Sequence, residues 1–329
     1  MIDPSYRLSV APMMDWTDRH CRYFHRLLAP KARLYTEMVH ANAVLKGDRP
    51  RLLGFSTHER PLALQLGGSE PALLAAATRI AQEEGFDEVN LNVGCPSDRV
   101  QSGRFGACLM REPALVAQCI AAMQAVVSIP VTVKCRLGVD EQEDYVSLLH
   151  FIDTIAATGC TTFVVHARKA WLQGLSPKEN REVPPLRYEQ VYRLKHERPA
   201  LTILINGGIV DAPAAHAHLE QVDGVMLGRA AYHDPYLLHA LHGELYAPGA
   251  PLRPRGVLLR QLESYVQDQL ARGTALKHIT RHVLGLFHSQ PGGRAFRQIL
   301  SEGAHRTDAS WELVERALDA TEQQRTQAA

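Results

Sequence analysis

The chain has 329 residues, 46% hydrophobic and 22% charged, with a formal net charge of +1. That composition is ordinary for a soluble globular protein with a large core, and it excludes binding to polyanions through overall charge alone. No apolar stretch approaches the roughly 20 residues of a membrane span, and Met1-Ile2-Asp3-Pro4 lacks the basic and apolar regions of a signal peptide.

Short β-rich runs recur along the first part of the chain. They are Arg7 to Pro12, Ala32 to Thr36, Pro61 to Leu66, Glu88 to Asn92, Pro130 to Lys134, Thr161 to His166, Leu201 to Asn206 and Gly224 to Leu227. Helical patterns alternate with most of them. Pro71 to Glu84 opens on a proline at its first position, and Pro113 to Val127, Glu143 to Thr158, Tyr188 to His196 and Ala212 to Glu220 follow. Strands and helices alternating in this number over about 240 residues predict an α/β fold of the (β/α)8 TIM-barrel type. A doubly wound open sheet is the alternative. It usually has fewer strands and a Gly-rich turn after the first, whereas here that turn is Ala11-Pro12-Met13-Met14-Asp15.

Composition shifts after Tyr246. Ala247-Pro248-Gly249-Ala250-Pro251-Leu252-Arg253-Pro254 reads as a linker. Val257 to Arg272, Leu276 to His288, Gly293 to Glu302 and Ala309 to Glu322 then read as a small helical bundle, with a polar, frayed tail from Thr321. The expected domains are therefore a barrel over 1–246 and a helical domain over 252–329. From Arg272 to Arg306 six basic residues face one acid, Glu302, which suggests either a solvated basic face or a phosphate-contacting one.

The six cysteines, Cys21, Cys95, Cys108, Cys119, Cys135 and Cys160, are scattered without a C-x-x-C pair. That argues against a zinc ribbon or a disulfide framework and for a reducing, cytoplasmic setting. His278 and His282 have helical i,i+4 spacing, but no third ligand accompanies them, so no metal is expected. Cys95 differs from the other cysteines in its place. It lies on the turn Gly94-Cys95-Pro96, directly after the run Asp87-Glu88-Val89-Asn90-Leu91-Asn92, which reads as a buried parallel strand. Such a cysteine is commonly structural. At the C-terminal end of a barrel strand it would instead face the ligand side.

Other strands also end in polar or turn residues. Pro12, Met13 and Met14 end the first strand, Gln65 the third, Asn92 the fourth, Lys134 the fifth and His166 the sixth. Asn206-Gly207-Gly208 and Gly228-Arg229 end the seventh and eighth. Any one of these has a dull explanation; together they describe one face. Barrels commonly bind phosphate after strands seven and eight, where glycine backbone approaches an anion closely and an arginine adds a fixed cation. Lys134 and His166 would lie against the polar rim of the ring system, where positive charge stabilises a reduced, anionic flavin. FMN fits such a site, while a nicotinamide nucleotide would need a second phosphate cradle.

Three motifs, Val10-Ala11-Pro12-Met13-Met14-Asp15-Trp16-Thr17-Asp18, Leu91-Asn92-Val93-Gly94-Cys95-Pro96 and Ile205-Asn206-Gly207-Gly208-Ile209, resemble those of the tRNA-dihydrouridine synthases. Leu175-Ser176-Pro177-Lys178-Glu179-Asn180-Arg181-Glu182-Val183-Pro184-Pro185-Leu186 is similar to the A-type subgroup, which modifies D-loop uridines 20 and 20a. The resemblance spans essentially the whole chain. It implies FMN contacts at Pro12, Met13, Met14, Gln65, Lys134, His166, Asn206, Gly207, Gly208, Gly228 and Arg229. It implies Cys95 as proton donor, tRNA contacts at Asn92, Asn180, Arg181, Arg294 and Arg297, and NADPH as electron source. A monomer acting on single RNA sites is expected. Two other readings are a flavin barrel oxidoreductase for a small substrate, which has no need of a basic helical tail, and an RNA-binding protein without catalysis, against which Cys95 and the phosphate constellation argue.

Overall fold

The computed structural model of the protein describes residues 2–97, 103–142 and 144–328. Eight strands are present: β1 Leu8–Val10, β2 Leu34–His40, β3 Leu62–Gly67, β4 Glu88–Val93, β5 Val131–Arg136, β6 Thr162–His166, β7 Thr202–Asn206 and β8 Gly224–Leu227. All pair in parallel, in the order β1-β8-β7-β6-β5-β4-β3-β2. A parallel bridge between Ser9 and Arg33, with Val10 N donating to the Arg33 carbonyl at 3.0 Å, brings β1 back beside β2. The sheet is thus a barrel, as the strand count predicts. Each expected strand is found; β2 runs on to His40, four residues past its expected end.

Cross-strand register sorts the side chains. Gln65 pairs with Asn90, Asn90 with Thr132, Asn92 with Lys134, Lys134 with Val164, and His166 with Asn206. Val164, Leu204 and Met226 on this same ladder form one buried cluster with Tyr6, Ala11, Tyr35 and Ala63. The ladder's shared face is therefore the barrel interior. The alternate residues, such as Val89, Leu91 and Val133, are also fully buried, because the helices cover the outside. A fully buried aliphatic side chain of this kind contributes roughly 1.5–3 kcal/mol.

Helices Pro71–Glu83, Pro113–Gln124, Tyr145–Ala156, Tyr188–Glu197 and Ala212–Leu219 follow the expected pattern. Pro71 and Pro113 start theirs at a position where no N–H is needed. Asp144 caps the Tyr145–Ala156 helix by accepting from Ser147 N at 2.8 Å. Glu143, the expected start of that helix, lies outside the described residues. Short helices Ala41–Lys46 and Arg49–Leu53 were not expected.

The chain divides into two compact units, Met1–Met14 with Ala32–Gly228, and Asp15–Lys31 with Arg229–Ala329. The first is the barrel. The second is helical: Arg19–Leu28, Arg229–His233, Tyr236–Tyr246, Arg255–Arg260, Glu263–Ala271, Lys277–Thr280, Gly293–Gly303 and Trp311–Ala328. Three expectations change here, the first being that the run Val257 to Arg272 is two helices, Arg255–Arg260 and Glu263–Ala271. The run Leu276 to His288 is helical only over Lys277–Thr280 and then continues as turns. The polar tail does not fray at Thr321, since helical backbone runs to Ala328.

Asp18 ties the second unit together. Its carboxylate caps the Arg19–Leu28 helix by accepting from His20 N at 2.9 Å and Cys21 N at 3.0 Å. It also meets Arg281 at 2.6 Å and His282 at 3.0 Å. Burial alone would raise the Asp18 carboxyl, but His282, the Cys21 N–H and Arg281 hold it well below the usual range. No helix among the described residues is long and apolar enough to cross a membrane.

Candidate active site

β4 carries the centre of the site. Asn92 lies near its C-terminal end, and the Asn92 Oδ1 accepts from Gly94 N at 3.1 Å and Cys95 N at 3.0 Å. This Asx-type turn fixes the backbone on which the thiol sits. The Cys95 carbonyl accepts from Ala107 N at 2.9 Å, and the Gly94 carbonyl accepts from Arg136 Nε at 2.9 Å. Cys95 is half-buried, so its sulfur is held yet reachable, and it lies 3.5 Å from Ser97 Oγ. Cys21, Cys119, Cys135 and Cys160 are buried, and burial pushes Cys119 up to about 11 and Cys135 and Cys160 up to about 12. Cys108 is half-buried and donates to the Phe105 carbonyl at 3.2 Å.

Cations gather at the C-terminal ends of β5 and β6. Lys134 Nζ donates to Asn206 Oδ1 at 3.1 Å, and Asn206 Nδ2 donates to the Met226 carbonyl at 2.7 Å. Burial, followed by the charge of Arg136, lowers Lys134 to about 8. Burial, followed by Arg136 and Lys134, holds His166 well below its ordinary value, so the imidazole is neutral. Arg136 is 4% exposed and clamps three carbonyls: Gly94, Lys169 at 2.9 Å and Asn180 at 2.9 Å. Such a concentration of positive charge in a low-dielectric interior favours an anion.

The ends of β7 and β8 present bare backbone. Gly207 and Gly208 have φ of +113° and +70°, in the region that favours glycine. A Cβ on Gly207 would lie 2.5 Å from His166 Cδ2, and one on Gly208 would lie 2.6 Å from Tyr188 Oη. The Tyr188 hydroxyl itself donates to the Gly207 carbonyl at 2.8 Å. A Cβ on Gly228 would meet nothing within 4 Å. The β7 turn is thus closely packed from beneath, while Gly228 borders open space.

The barrel brings Gln65, Asn92, Cys95, Lys134, His166, Asn206, Gly207, Gly208 and Gly228 to the C-terminal ends of its strands. Pro12 is half-exposed, Met13 packs on the interior cluster, and Met14 is 56% exposed. Arg229 follows Gly228 directly and opens the Arg229–His233 helix. Asn180, expected among the substrate contacts, is fully buried. Its Oδ1 accepts from Trp171 N at 2.8 Å, and its Nδ2 donates to the carbonyls of Trp171 at 2.9 Å and Leu175 at 3.1 Å. The side chain holds its own loop in shape, and the neighbouring Arg181 is the exposed residue of the pair.

In the second unit Arg294 and Arg297 are exposed on the Gly293–Gly303 helix, whose Phe296 and Leu300 are buried. The basic excess counted from the sequence is partly cancelled, since Arg272 pairs with Asp268, Arg281 with Asp18 and Arg306 with Asp308. Lys277, Arg294 and Arg297 have no acidic partner among the described residues. His282 does not face solvent; its buried ring is held by Asp18 and, at 3.1 Å, by Tyr232 Oη. Arg136 was missed by sequence reasoning. Its only signal was its place two residues after Lys134, on the same side of β5.

The sequence profile of the dihydrouridine synthases (Dus) matches residues 9–323. The chain belongs to the dihydrouridine synthase family. A tRNA-dihydrouridine(20/20a) synthase of Xanthomonas axonopodis pv. citri (strain 306) is 70% identical over 318 residues, covering 97% of this chain and 95% of its own. The enzyme of the same name from Xylella fastidiosa (strain 9a5c) is 64% identical, covering 100% and 96%. That of Vibrio cholerae serotype O1 (strain ATCC 39315 / El Tor Inaba N16961) is 55% identical, covering 95% and 96%. Among solved structures, morphinone reductase superposes with a TM-score of 0.53 at 12% identity, over 77% of this chain and 90% of its own; that likeness concerns the fold alone. In this dihydrouridine synthase the barrel resemblance and the family resemblance therefore agree.

Proposed function

We propose that this dihydrouridine synthase reduces uridines 20 and 20a in the D-loop of tRNA, with FMN as bound cofactor and NADPH as electron source. The observation that carries the reading is the Cys95 thiol, half-buried on a hydrogen-bonded turn at the same barrel end as Lys134, His166 and Arg136. The chemistry of this end suits FMN. The glycine backbone after β7 and the open side of Gly228 suit a phosphate, with Arg229 next in the chain as its cation. Gln65, Lys134, His166 and Asn206 are the polar groups that would hold the ring system.

When bound and reduced, FMN supplies the hydride for C6 of the uracil. The chain's own residues do the rest. Negative charge that develops on the base toward its C4 oxygen is stabilised by the Lys134 and Arg136 cations in a poorly solvated site. Cys95 gives its proton to C5. A thiol is a stronger acid than an alcohol and yields its proton more readily. The target base must leave its stack, at a cost of a few kcal/mol. Phosphate contacts from Arg181, Arg294 and Arg297 would offset that cost.

Mass-spectrometric mapping of dihydrouridine in tRNA from a strain lacking this protein tests the reading. Loss at positions 20 and 20a, restored by the wild-type chain, is the expected result. Unchanged D-loop dihydrouridine would overturn it. Replacing Arg294 and Arg297 together by alanine should flatten the salt dependence of tRNA affinity by up to about two phosphate contacts.

A further inference from the structure

We infer that Thr132 and Glu88 are positioning residues for the Cys95 turn, acting through a directional chain of buried side chains that runs from the barrel floor to its mouth. The inference rests on the functional reading above for what the turn does, and on hydrogen bonding alone for how it is held.

The chain starts at Glu88, the first residue of β4, which is fully buried. A carboxylate only accepts. Its Oε2 accepts from Tyr6 Oη at 2.8 Å, and its Oε1 accepts from Tyr35 Oη at 3.1 Å and Thr132 Oγ1 at 2.5 Å. Arg33 Nη1 lies 3.5 Å from Oε2 as the countercharge. Thr132 has one hydroxyl proton, and Glu88 takes it. Toward its other neighbour Thr132 must therefore accept, and Asn90 Nδ2 donates to it at 2.8 Å.

That bond orients the Asn90 amide, leaving Oδ1 for Gln65 Nε2 at 2.8 Å. Gln65 is oriented in turn, and its Oε1 accepts from Asn92 Nδ2 at 2.8 Å. Asn92 Oδ1 is then the atom that meets Gly94 N and Cys95 N. Reversing any amide would set donor against donor. At the upper end, a reversed Asn92 would point Nδ2 at two backbone N–H groups. Thr132, Asn90 and Gln65 are each at most 1% exposed and Asn92 is 8% exposed, so solvent does not readily substitute for a lost member. Gln65 and Asn92 each keep one N–H beyond the chain, and donors of this kind match the carbonyl oxygens of a heterocyclic ring.

The mechanism predicts what cutting the chain does. Thr132→Val keeps the shape but removes the hydroxyl. Asn90 then holds an unpaired N–H, and the amide flip that relieves it misorients Gln65 and Asn92 and loosens the Cys95 turn. Thr132→Ser keeps the hydroxyl and should act like wild type.

The test uses the full-length flavoprotein, with kcat, KM for tRNA and the rate of Cys95 alkylation by iodoacetamide, read by peptide mass spectrometry. In Thr132→Val kcat should fall about tenfold with KM for tRNA within about twofold, and Cys95 alkylation should rise at least about threefold. Thr132→Ser should return both to within about twofold of wild type. Thr132→Ala serves in place of the valine variant if the latter does not fold. Wild-type kcat and alkylation in the valine or alanine variant would overturn the inference, as would equal impairment of the serine variant. If wild-type protein neither holds flavin nor modifies tRNA, the proposed function fails. The alkylation comparison still decides the relay in that case.

Discussion

The floor and the mouth of the barrel both bury charge, and they handle it in opposite ways. On the floor, Glu88 faces Arg33 and is hydrogen-bonded by two phenols and a threonine; Arg33 also reaches Asp3 at 2.5 Å and stacks 4.7 Å from the Tyr6 ring. Burial and the neighbouring carboxylate raise both tyrosines, so their hydroxyls stay donors. At the mouth, the strongest charges acting on Lys134 and His166 are other cations. The floor sets opposite charges face to face, which serves stability. The mouth gathers cations, which under the proposed function would face an anionic ligand or a charge that forms during reaction.

The largest effect should come from the mouth. Under the proposed function, Cys95→Ala should still bind flavin and oxidise NADPH, yet lose about two to four orders of magnitude in uridine reduction, the usual worth of a positioned acid. Single-turnover oxidation of pre-reduced enzyme by unmodified tRNA measures this. A near-normal rate would mean that the mouth supplies its proton from elsewhere, and the contrast with the floor would lose its chemical meaning.

The floor should dominate stability. Glu88→Gln removes the buried countercharge of Arg33 and leaves only the half-exposed Asp3 opposite it, so the loss should approach the roughly 3–5 kcal/mol of a broken buried pair. Lys134→Met should stay within about 1 kcal/mol of wild type in ligand-free protein, because the lost bond to Asn206 is offset by removing a poorly solvated charge. Urea unfolding of the two variants compares them directly, and similar losses in both would show that the mouth is as compensated as the floor.

Titration sharpens the same point. Lys134 is lowered from 10.5 to about 8 in the fold, so the unfolded chain binds more protons between those values. Stability therefore rises with pH across that window. Relative to Lys134→Met, wild type should gain on the order of 1–3 kcal/mol from pH 8 to 10.5. His166 has the same sign lower down: its folded value lies well below 6.5, so its contribution is lost as pH falls beneath 6.5. A flat difference between wild type and Lys134→Met from pH 8 to 10.5 would place Lys134 in solvent.

Much of this was legible in the sequence because short β-rich runs and Pro-started helices are local signals. All eight strands, the Cys95 turn and the polar strand ends follow from residue order. Pairings between distant segments do not. Glu88, Asn90 and Asn92 sit in what reads as a plain buried strand, and only the cross-strand register shows that they share the interior with Thr132 and Gln65. The Arg19–Leu28 helix groups with Arg229–Ala329 through Asp18 and His282, residues far apart in the chain. Charge counting failed for a similar reason, since Asp268 and Asp308 lie outside the basic window they neutralise. The family resemblance places Asn180 among the tRNA contacts, and nothing local announces that its amide also closes its own loop.

The smallest expected effect comes from Gly228, just past β8, and stands against the opposite end of that strand. At its floor end a Cβ on Gly224 would lie 1.9 Å from the Tyr6 carbonyl oxygen, a backbone atom that cannot yield. Gly224→Ala should therefore cost about 1–3 kcal/mol or more of stability, the usual range for overpacking. Just past its other end, a Cβ on Gly228 meets nothing within 4 Å. Gly228→Ala should leave ligand-free stability within about 0.5 kcal/mol, as for substitutions away from packed features. If the phosphate of FMN approaches that backbone, the added methyl occupies its space. Flavin affinity should then fall severalfold, measured by fluorescence titration of the ligand-free protein. Unchanged affinity would move the phosphate away from Gly228 and leave the Gly207-Gly208 turn to hold it alone.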